Sequence, residues 1–223
     1  MPSPTVVDAP ALRAPSAWPV PLLYRTLRPA IRALLRRSFA LRIDGLGHLP
    51  PHGPYILAAN HHNYLDGVVL AAAVPQRISF LVMPRVWRAT PLHPPLHRHL
   101  GSILLDVGRG DVSALRRALG VLERGGVVGI FPEGPFSVCG RLEAGLPGVA
   151  LLALRSGVPV VPAGIQGTFE ALRGRRLYIP RRQPIAVRFG PARRFTAPAA
   201  VPGRDARQQV TARIMADIAA LLP

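Results

Sequence analysis

The sequence feature that most constrains the fold is an alternation of short apolar runs with stretches where apolar residues recur at helical spacing, from residue 55 to near the end of the chain. Runs of about four to eight apolar residues are typical of strands buried on both faces, and such strands connected by helices form parallel sheets. The alternation therefore predicts an α/β fold, with a mostly parallel central sheet flanked by helices. We expect strands at 55–60, 78–83, 102–107, 127–132, 158–165 and 184–190, and helices at 65–74, 111–126, 148–157 and 204–222.

Two segments precede this alternation. Residues 1–19 are rich in proline and alanine and are expected to form a disordered lead. Residues 20–43 carry leucines at helical spacing with arginines between them, and Pro29 either kinks this helix or starts its second part. The pattern is typical of a basic amphipathic helix on a membrane surface, although the same apolar face could pack on the protein's own core, and both arrangements can hold at once. The α/β domain is then expected over residues 44–223.

The charge of the chain predicts an anionic partner. The sequence has 28 basic residues, all of them arginine, and 11 acidic residues, so the formal net charge is +17. A GC-rich genome explains the preference for arginine over lysine, but it does not explain the excess of basic over acidic residues. A phospholipid surface, a nucleic acid or a phosphorylated substrate would each complement this charge.

The remaining composition favours a cytoplasmic protein that binds a surface. The single cysteine, Cys139, excludes an intramolecular disulfide. No run reaches the roughly 18 apolar residues of a membrane-spanning helix. The first residues also lack the basic-then-apolar order of a secretory signal. We expect a peripheral or monotopic protein at the cytoplasmic face of the cell membrane.

The stretch AANHHNYLDG, residues 58–67, brings two polar side chains to the end of a predicted strand. On a regular helix the five steps from His61 to Asp66 rotate by roughly 500°, which would turn the two side chains away from each other. They can meet only if His61 lies in the turn before the helix and Asp66 lies in its first turn. Asp66 could then orient the imidazole, whose other nitrogen could take a proton from a hydroxyl. The spacing alone is weak evidence for such a pair, because a polar surface turn has the same pattern.

Three further stretches each lie at or beyond a predicted strand. GSILLDVGRGD, residues 101–111, contains Arg109; FPEGPFS, residues 131–137, contains Glu133 and Gly134; and GVPVVPAGIQGT spans residues 157–168. Together with the Asn-His and Asp of the first stretch, this ordered set resembles the four sequence blocks of the glycerolipid acyltransferases, the 1-acylglycerol-3-phosphate acyltransferases and their relatives. The resemblance covers about residues 20–195.

The resemblance implies an acyl transfer without an acyl-enzyme intermediate. His61 would be the general base, Asp66 would orient it, and the acceptor hydroxyl would attack the thioester of an acyl-coenzyme A or acyl-carrier protein. These two donors are co-substrates, and neither a cofactor nor a metal is implied. The residues expected at the acceptor, most simply a lysophospholipid such as 1-acylglycerol-3-phosphate, are Asn60, Arg109, Glu133, Gly134, Phe136 and Arg141. Val161 and Pro162, in the fourth block, would serve the acyl donor or hold the shape of the site.

The chain departs from the family's pattern at the acceptor's phosphate. Val107 stands where relatives often have an arginine, and Phe136 stands in place of the arginine of the third block. A lost guanidinium removes a bidentate, charge-assisted contact to phosphate. Either Arg141 or another arginine restores this charge, or the acceptor is a different lipid or alcohol. A non-catalytic relative that binds membranes or nucleic acid is a further alternative, with nucleic acid the less favoured partner.

Two basic stretches complete the sequence reading. HPPLHRH brings His93, His97 and His99 close together, but two prolines interrupt any helix and no carboxylate or cysteine accompanies them, so a metal site is not expected. We expect these histidines, with Arg85, Arg88 and Arg98, to form part of a basic surface around the donor or the membrane. The arginine-rich loop 173–184 could contact lipid headgroups, the coenzyme's phosphates or a nucleic acid.

Overall fold

The structure is a computed structural model that describes residues 6–8, 22–105, 112–173, 180–196 and 203–223. Within these ranges the strands are β1 (Val6–Asp8), β2 (Arg42–Asp44), β3 (Tyr55–Ala59), β4 (Ile78–Val82), β5 (Ile103–Leu104), β6 (Val127–Ile130), β7 (Val160–Gln166), β8 (Ala186–Phe189) and β9 (Arg193–Phe195). The helices are α1 (Leu22–Phe39), α2 (Tyr64–Ala73), α3 (Pro84–Trp87), α4 (His93–Leu100), α5 (Val112–Glu123), α6 (Gly148–Ser156), α7 (Thr168–Leu172) and α8 (Gly203–Ala219).

The predicted α/β fold with a mostly parallel sheet is confirmed. Strands β5, β4, β6, β3 and β7 lie side by side and run parallel to one another. Strands β8 and β9 pair antiparallel with β7, while β2 runs parallel to β8. Because β3 and β6 are parallel neighbours, the turns that follow their carboxyl ends meet at one edge of the sheet, and the candidate site lies there.

Helices cover both faces of the sheet. Alternate residues of β3 separate into two cores: Tyr55 and Leu57 pack on the side of α1 and α2, whereas Ile56 and Ala58 pack on the side of α5, α6 and α8. This alternation follows from the period of two along a strand. All five residues of β3 are buried, as expected for a central parallel strand.

Helix α1 has one face that packs on the core and a second face with exposed leucines. It runs through Pro29 and buries Tyr24, Leu35 and Phe39, so one face packs on the protein's own core. Its exposed leucines, Leu22, Leu27 and Leu34, lie outside this buried stripe. The helix ends at Phe39 rather than continuing to residue 43, because residues 42–44 form β2 and pair with β8. None of the helices in the described ranges has the length and apolar character needed to cross a membrane.

Two further predictions for this fold were wrong in part. Within the lead 1–19, expected to be disordered, Val6–Asp8 form a strand that pairs with β9, where two β-branched valines suit an edge of the sheet. The rest of the lead lies outside the described residues. The prolines of HPPLHRH do not interrupt a helix: α4 begins at His93, so Pro94 and Pro95 lie in its first turn, where a missing N–H costs little.

Candidate active site

The His61 and Asp66 side chains meet beyond the end of β3. His61 lies in the turn before α2, Asn63 caps the helix, and Asp66 is the third residue of its first turn. The Nδ1 atom of His61 is 2.9 Å from Oδ2 of Asp66, and the Asp66 side chain is fully buried. This is the geometry that the spacing required, with the histidine placed before the helix begins.

Asp66 organises the whole turn. Its Oδ2 atom accepts hydrogen bonds from the backbone N–H groups of His62 at 2.6 Å and Asn63 at 2.8 Å, besides the contact with His61. The Asn63 side chain accepts in turn from the backbone N–H of Leu65 at 2.9 Å, and Asn63 and Asp66 together form a capping box. Because Oδ2 is an acceptor for all three groups, the geometry suits an N–H on Nδ1 of His61, which would leave Nε2 free to accept a hydrogen bond.

Two phenylalanines pack against the His61 ring. Phe131 stacks on it with ring centroids 3.7 Å apart and an interplanar angle of 7°. Phe136, which occupies the position of the expected arginine, contacts the ring edge-on at 4.5 Å. These contacts fix the plane of the imidazole, and Phe131 covers one of its faces. Position 136 therefore supports the histidine directly instead of supplying a charge.

Glu133 joins the third sequence block to the first. Its side chain is 4% exposed. Oε1 accepts from the backbone N–H of His61 at 2.7 Å, and Oε2 accepts from that of Glu143 at 2.8 Å. The backbone N–H of Ser137 also donates to the carbonyl of His61 at 2.9 Å. Burial raises the pKa of Glu133 above its usual range, while the two backbone donors act in the opposite direction. With both oxygens engaged, Glu133 supports the site by holding the His61 turn.

Asn60, expected at the acceptor, is directed into the sheet and is not among the residues that line the cavity described below. The side chain is fully buried and both of its polar atoms contact one backbone residue of β7. Its Oδ1 accepts from the N–H of Ile165 at 2.7 Å, and its Nδ2 donates to the Ile165 carbonyl at 2.9 Å. Asn60 therefore fastens the end of β3 to its neighbouring strand.

The other predicted residues occupy different environments. Val161 and Pro162 are buried in β7, opposite Leu57 and Ala58. Gly134 adopts a φ of +82°, and a Cβ there would meet Leu146 at 2.8 Å, so this position favours glycine. Arg141 is exposed and is not among the residues that line the cavity described next. Arg109 lies outside the described residues.

His61 lines a large, mostly apolar cavity of about 1030 Å³. Its walls come from α1, α2, α3, α4, β4 and the segment after β6, and include Phe80, Phe131 and Phe136. Two arginines, Arg28 and Arg85, line it, and no carboxylate of the described residues does. The guanidinium carbon of Arg85 lies 5.3 Å from the centre of the Phe136 ring. A positive charge therefore stands next to the aromatic ring that occupies the place of the expected arginine.

Comparison with known proteins places this arrangement in a family. The sequence profile of the family named Acyltransferase matches residues 40–166, which is more than half of the chain and includes the His61 turn and Glu133. The chain belongs to the acyltransferase family.

Named relatives and one solved structure agree with this membership. The chain is 32% identical over 135 residues to the chloroplastic 1-acyl-sn-glycerol-3-phosphate acyltransferase of Brassica napus, covering 56% of this chain and 37% of the relative. It is 22% identical to the 1-acyl-sn-glycerol-3-phosphate acyltransferase of Bacillus subtilis, covering 65% of this chain and 72% of the relative. The crystal structure of the 1-acyl-sn-glycerophosphate acyltransferase PlsC from Thermotoga maritima superposes with a TM-score of 0.69 at 20% identity, covering 89% and 79% of the two chains. This last likeness shows a shared fold.

In this member of the acyltransferase family, several residues at the site were not predicted as site residues. Phe131 is the first residue after β6, and Tyr64 contacts the Phe136 ring at 4.7 Å. The feature of the sequence that could have identified Phe131 and Tyr64 is an aromatic side chain close to the end of a strand. Arg85 was expected only on a basic surface, and its approach to Phe136 depends on how α3 packs over the cavity.

Proposed function

We propose that the protein is an O-acyltransferase that esterifies the hydroxyl of a lysophospholipid, of which 1-acylglycerol-3-phosphate is the simplest, with acyl-coenzyme A or acyl-carrier protein as donor. The observation that carries the proposal is the His61–Asp66 pair, held at 2.9 Å on the wall of an apolar cavity. The Brassica napus and Bacillus subtilis relatives, named for this reaction, support it. The chain spans 37% of the length of the chloroplastic relatives, so their activity and substrates apply here as part of the proposal.

In the proposed reaction, Nε2 of His61 acts as the general base. Nε2 takes the proton of the acceptor hydroxyl while the hydroxyl oxygen attacks the thioester carbonyl carbon. A C–O bond forms, the tetrahedral intermediate collapses with cleavage of the C–S bond, and the proton on Nε2 passes to the leaving thiolate. The carboxylate of Asp66 stabilises the imidazolium that exists between these two proton transfers. Phe131 covers one face of the ring, which limits the access of water there and favours the acceptor over hydrolysis.

The cavity suits a substrate with an acyl chain. Its lining is mostly apolar, and its volume matches the upper end of typical ligand pockets, about 300–1,000 Å³. Each methylene that moves from water into such a lining contributes about 0.8 kcal/mol. Burial in this cavity therefore contributes more binding free energy for a long acyl chain than for a headgroup. The headgroup has to be held at the polar end of the cavity, beside His61.

Arg85 is the side chain that compensates for the missing third-block arginine in this proposal. It lines the cavity, it lies beside Phe136, and no carboxylate neutralises it among the cavity-lining residues of the described chain. Arg141, the other candidate, is exposed outside the cavity. A lysolipid phosphate placed near Arg85 would still lie close to the His61 ring, because Phe136 contacts both.

Association with a membrane surface is part of the proposal. The exposed leucines of α1, Leu22, Leu27 and Leu34, share that helix with the exposed Arg25, Arg36 and Arg37, and α1 has no acidic residue. Such a helix binds an interface through buried apolar area and through attraction to anionic lipids. The proposed location is the cytoplasmic face of the membrane, where the acyl donors are made available.

An activity screen tests the reaction. Purified protein in mixed micelles should transfer acyl groups from at least one thioester donor to lysophosphatidate, and His61→Ala should abolish transfer while thermal unfolding and micelle binding stay unchanged. Full activity in His61→Ala would refute the mechanism.

A second acceptor class is favoured by one observation, the aromatic ring at position 136. If the natural acceptor lacks a phosphate, wild-type protein should prefer a neutral alcohol, and Phe136→Arg should raise activity on lysophosphatidate. Equal preference by both proteins would exclude position 136 as a determinant of the acceptor.

A further inference from the structure

The His62 side chain belongs to the His61 turn but does not line the cavity. Its ring is half-buried and lies between the end of β3 and the start of α7. The Nε2 atom lies 3.4 Å from Nδ2 of Asn60, and the Nδ1 atom lies 3.3 Å from Oγ1 of Thr168. The Phe169 ring packs against it edge-on, with ring centroids 5.8 Å apart. Both nitrogens of His62 therefore have partners within the protein.

The orientation of the Asn60 amide decides which nitrogen of His62 carries the proton. Oδ1 of Asn60 accepts from the backbone N–H of Ile165 at 2.7 Å, and Nδ2 donates to the Ile165 carbonyl at 2.9 Å, so the amide cannot turn over without losing both bonds. Nδ2 therefore presents its second N–H to Nε2 of His62, which has to accept. A neutral imidazole has a single N–H, which then lies on Nδ1 and donates to Oγ1 of Thr168.

The backbone of His62 connects this ring to the His61–Asp66 pair. Its N–H donates to Oδ2 of Asp66 at 2.6 Å, the same oxygen that lies 2.9 Å from Nδ1 of His61. Thr168, the partner of the ring, makes a second contact with the turn, because its carbonyl accepts from Nδ2 of Asn63 at 2.7 Å. A displacement of the His62 ring would therefore move the backbone that shares Asp66 with His61.

Thr168 is a fixed partner because its neighbours on both sides are tightly packed. It is fully buried. Gly167, with a φ of +84°, lies so close to the Pro184 carbonyl that a Cβ would overlap the oxygen. The Phe169 ring covers Gly140, where a Cβ would meet the ring at 2.6 Å. The start of α7 is thereby held against the connection before β8 and against the segment after β6.

We propose that His62 is a positioning residue for the His61–Asp66 pair: the neutral ring, with its proton on Nδ1, links the turn to Thr168, and a proton on Nε2 breaks this link. The added N–H would point at the N–H of Asn60, and two donors cannot form a hydrogen bond. The ring would then have to move. The effect on the rate of transfer rests on the proposed function, whereas the link itself requires neither donor nor acceptor.

The surroundings of the ring favour the neutral form at neutral pH. Burial lowers the pKa of His62, and His61 acts in the same direction, whereas the carboxylates of Asp66 and Glu170 oppose this shift. Arg173 contacts the Phe169 ring on the same helix. We therefore expect His62 to gain its proton below about pH 6.5, the ordinary value for histidine. Since the proposed base His61 must be neutral as well, acid should remove activity through two protons.

Nitrogen-15 NMR of the imidazole rings in the full chain tests the link without substrate. At about pH 7.5, Nδ1 of His62 should carry the proton and Nε2 should not. Thr168→Val removes the hydroxyl with little change of shape and should shift the ring signals of both His62 and His61. Thr168→Ser keeps the hydroxyl and should leave the His61 signals in place. A proton on Nε2 of His62 at this pH, or His61 signals unaltered by Thr168→Val, would overturn the proposal.

Steady-state kinetics test the consequence for transfer. His62→Leu and Thr168→Val should each lower kcat about tenfold, less than the roughly hundredfold that a displacement of about 1 Å can cost, and should leave KM unchanged. The double variant should be no slower than either single variant, because both remove the same link. His62→Asn places an amide N–H as many bonds from Cα as Nδ1 is, so it should recover most of kcat.

The pH profile distinguishes positioning from a general loss of stability. Below about pH 6.5, log kcat should fall with two protons in the wild type and with one in His62→Asn. His52→Leu is the matched control, because His52 is exposed in the loop before β3, and this variant should keep both kcat and the two-proton limb. Additive losses in the double variant, or a two-proton limb in His62→Asn, would overturn the proposal. A wild type that transfers from no donor would contradict the proposed function, and the NMR result would still decide the link.

Discussion

Replacement of Asp66 by asparagine removes one charge and almost no volume from the site. The amide oxygen of asparagine can take the place of Oδ2 and accept the same N–H groups from His61, His62 and Asn63. The amide nitrogen would take the place of Oδ1, which has no hydrogen-bond partner among the described residues. The orientation of the imidazole should therefore persist in Asp66→Asn, and the variant isolates the electrostatic contribution of the carboxylate.

The size of the effect follows from the charge that develops on His61. In the ground state the imidazole is neutral, and during transfer it becomes an imidazolium next to the Asp66 carboxylate. Two unit charges about 4 Å apart at an effective dielectric constant of about 20 attract by about 4 kcal/mol. Asparagine loses this attraction in the transition state only, so kcat should fall about a thousandfold. KM should change by less than about threefold, because substrate binding does not use this charge.

The assay is steady-state release of the free thiol from an acyl thioester, at saturating lysolipid. A matched control exists at Asp217, which forms ion pairs with Arg193 at 3.0 Å and Arg213 at 3.2 Å, away from the site. Asp217→Asn removes the same charge and should keep kcat within about twofold, because neither of its ion-pair partners contacts the His61 turn. A kcat for Asp66→Asn within tenfold of wild type, with unchanged folding, would refute the reasoning that Asp66 stabilises a charged His61.

Three further changes test the surroundings of the site. Glu133→Gln replaces one of two accepting oxygens by an NH₂ group and leaves a buried backbone N–H without an acceptor, so urea unfolding should show a loss of about 1–3 kcal/mol. A free energy of unfolding equal to that of wild type would contradict this account. Burial lowers the pKa of His62, so the unfolded chain binds a proton that the folded chain resists, and stability should fall as pH falls below about 6.5, by up to about 1.4 kcal/mol per pH unit. His62→Gln should reduce this slope, and an unaltered slope in urea titrations would exclude His62 as a source. Arg85→Ala should raise KM for lysophosphatidate about tenfold or more with little change in kcat, whereas Arg141→Ala should leave both unchanged; equal effects of the two would remove Arg85 from the phosphate site.

Features of the site that depend on residues close together in the sequence could be predicted from the sequence. The His61 turn follows from the six consecutive positions 61–66, because Asn63 caps a helix and Asp66 falls in its first turn. The role of Asn60 could not be predicted, since both of its polar atoms are used by the backbone of Ile165, 105 residues along the chain. The same holds for Glu133, whose two backbone partners lie in separate loops. Both residue types suit a substrate contact and a structural clamp equally well, and only the packing of the strands distinguishes the two.

The cavity depends even more on tertiary structure. Its walls come from helices that are distant in sequence, and α4 itself contradicts the expectation from its prolines, which fit a first helical turn. The outward position of Leu92 could not be inferred either, because a segment of eight residues with three histidines has no clear apolar face until its neighbours are known.

The residues that hold His61, the proposed base, are separate from Arg85, the proposed contact to the acceptor. The backbone of His61 is held by Glu133 and Ser137, and its ring is held by Asp66 and Phe131, all from the turns beyond the parallel strands β3 and β6. These contacts depend on the sheet, which the chain shares with a solved relative at 20% identity. Arg85 reaches the cavity from α3, in the connection between β4 and β5, and makes none of the hydrogen bonds that hold His61. Under the proposed function, a substitution at Arg85 should therefore change which acceptor is bound and leave the position of His61 unchanged.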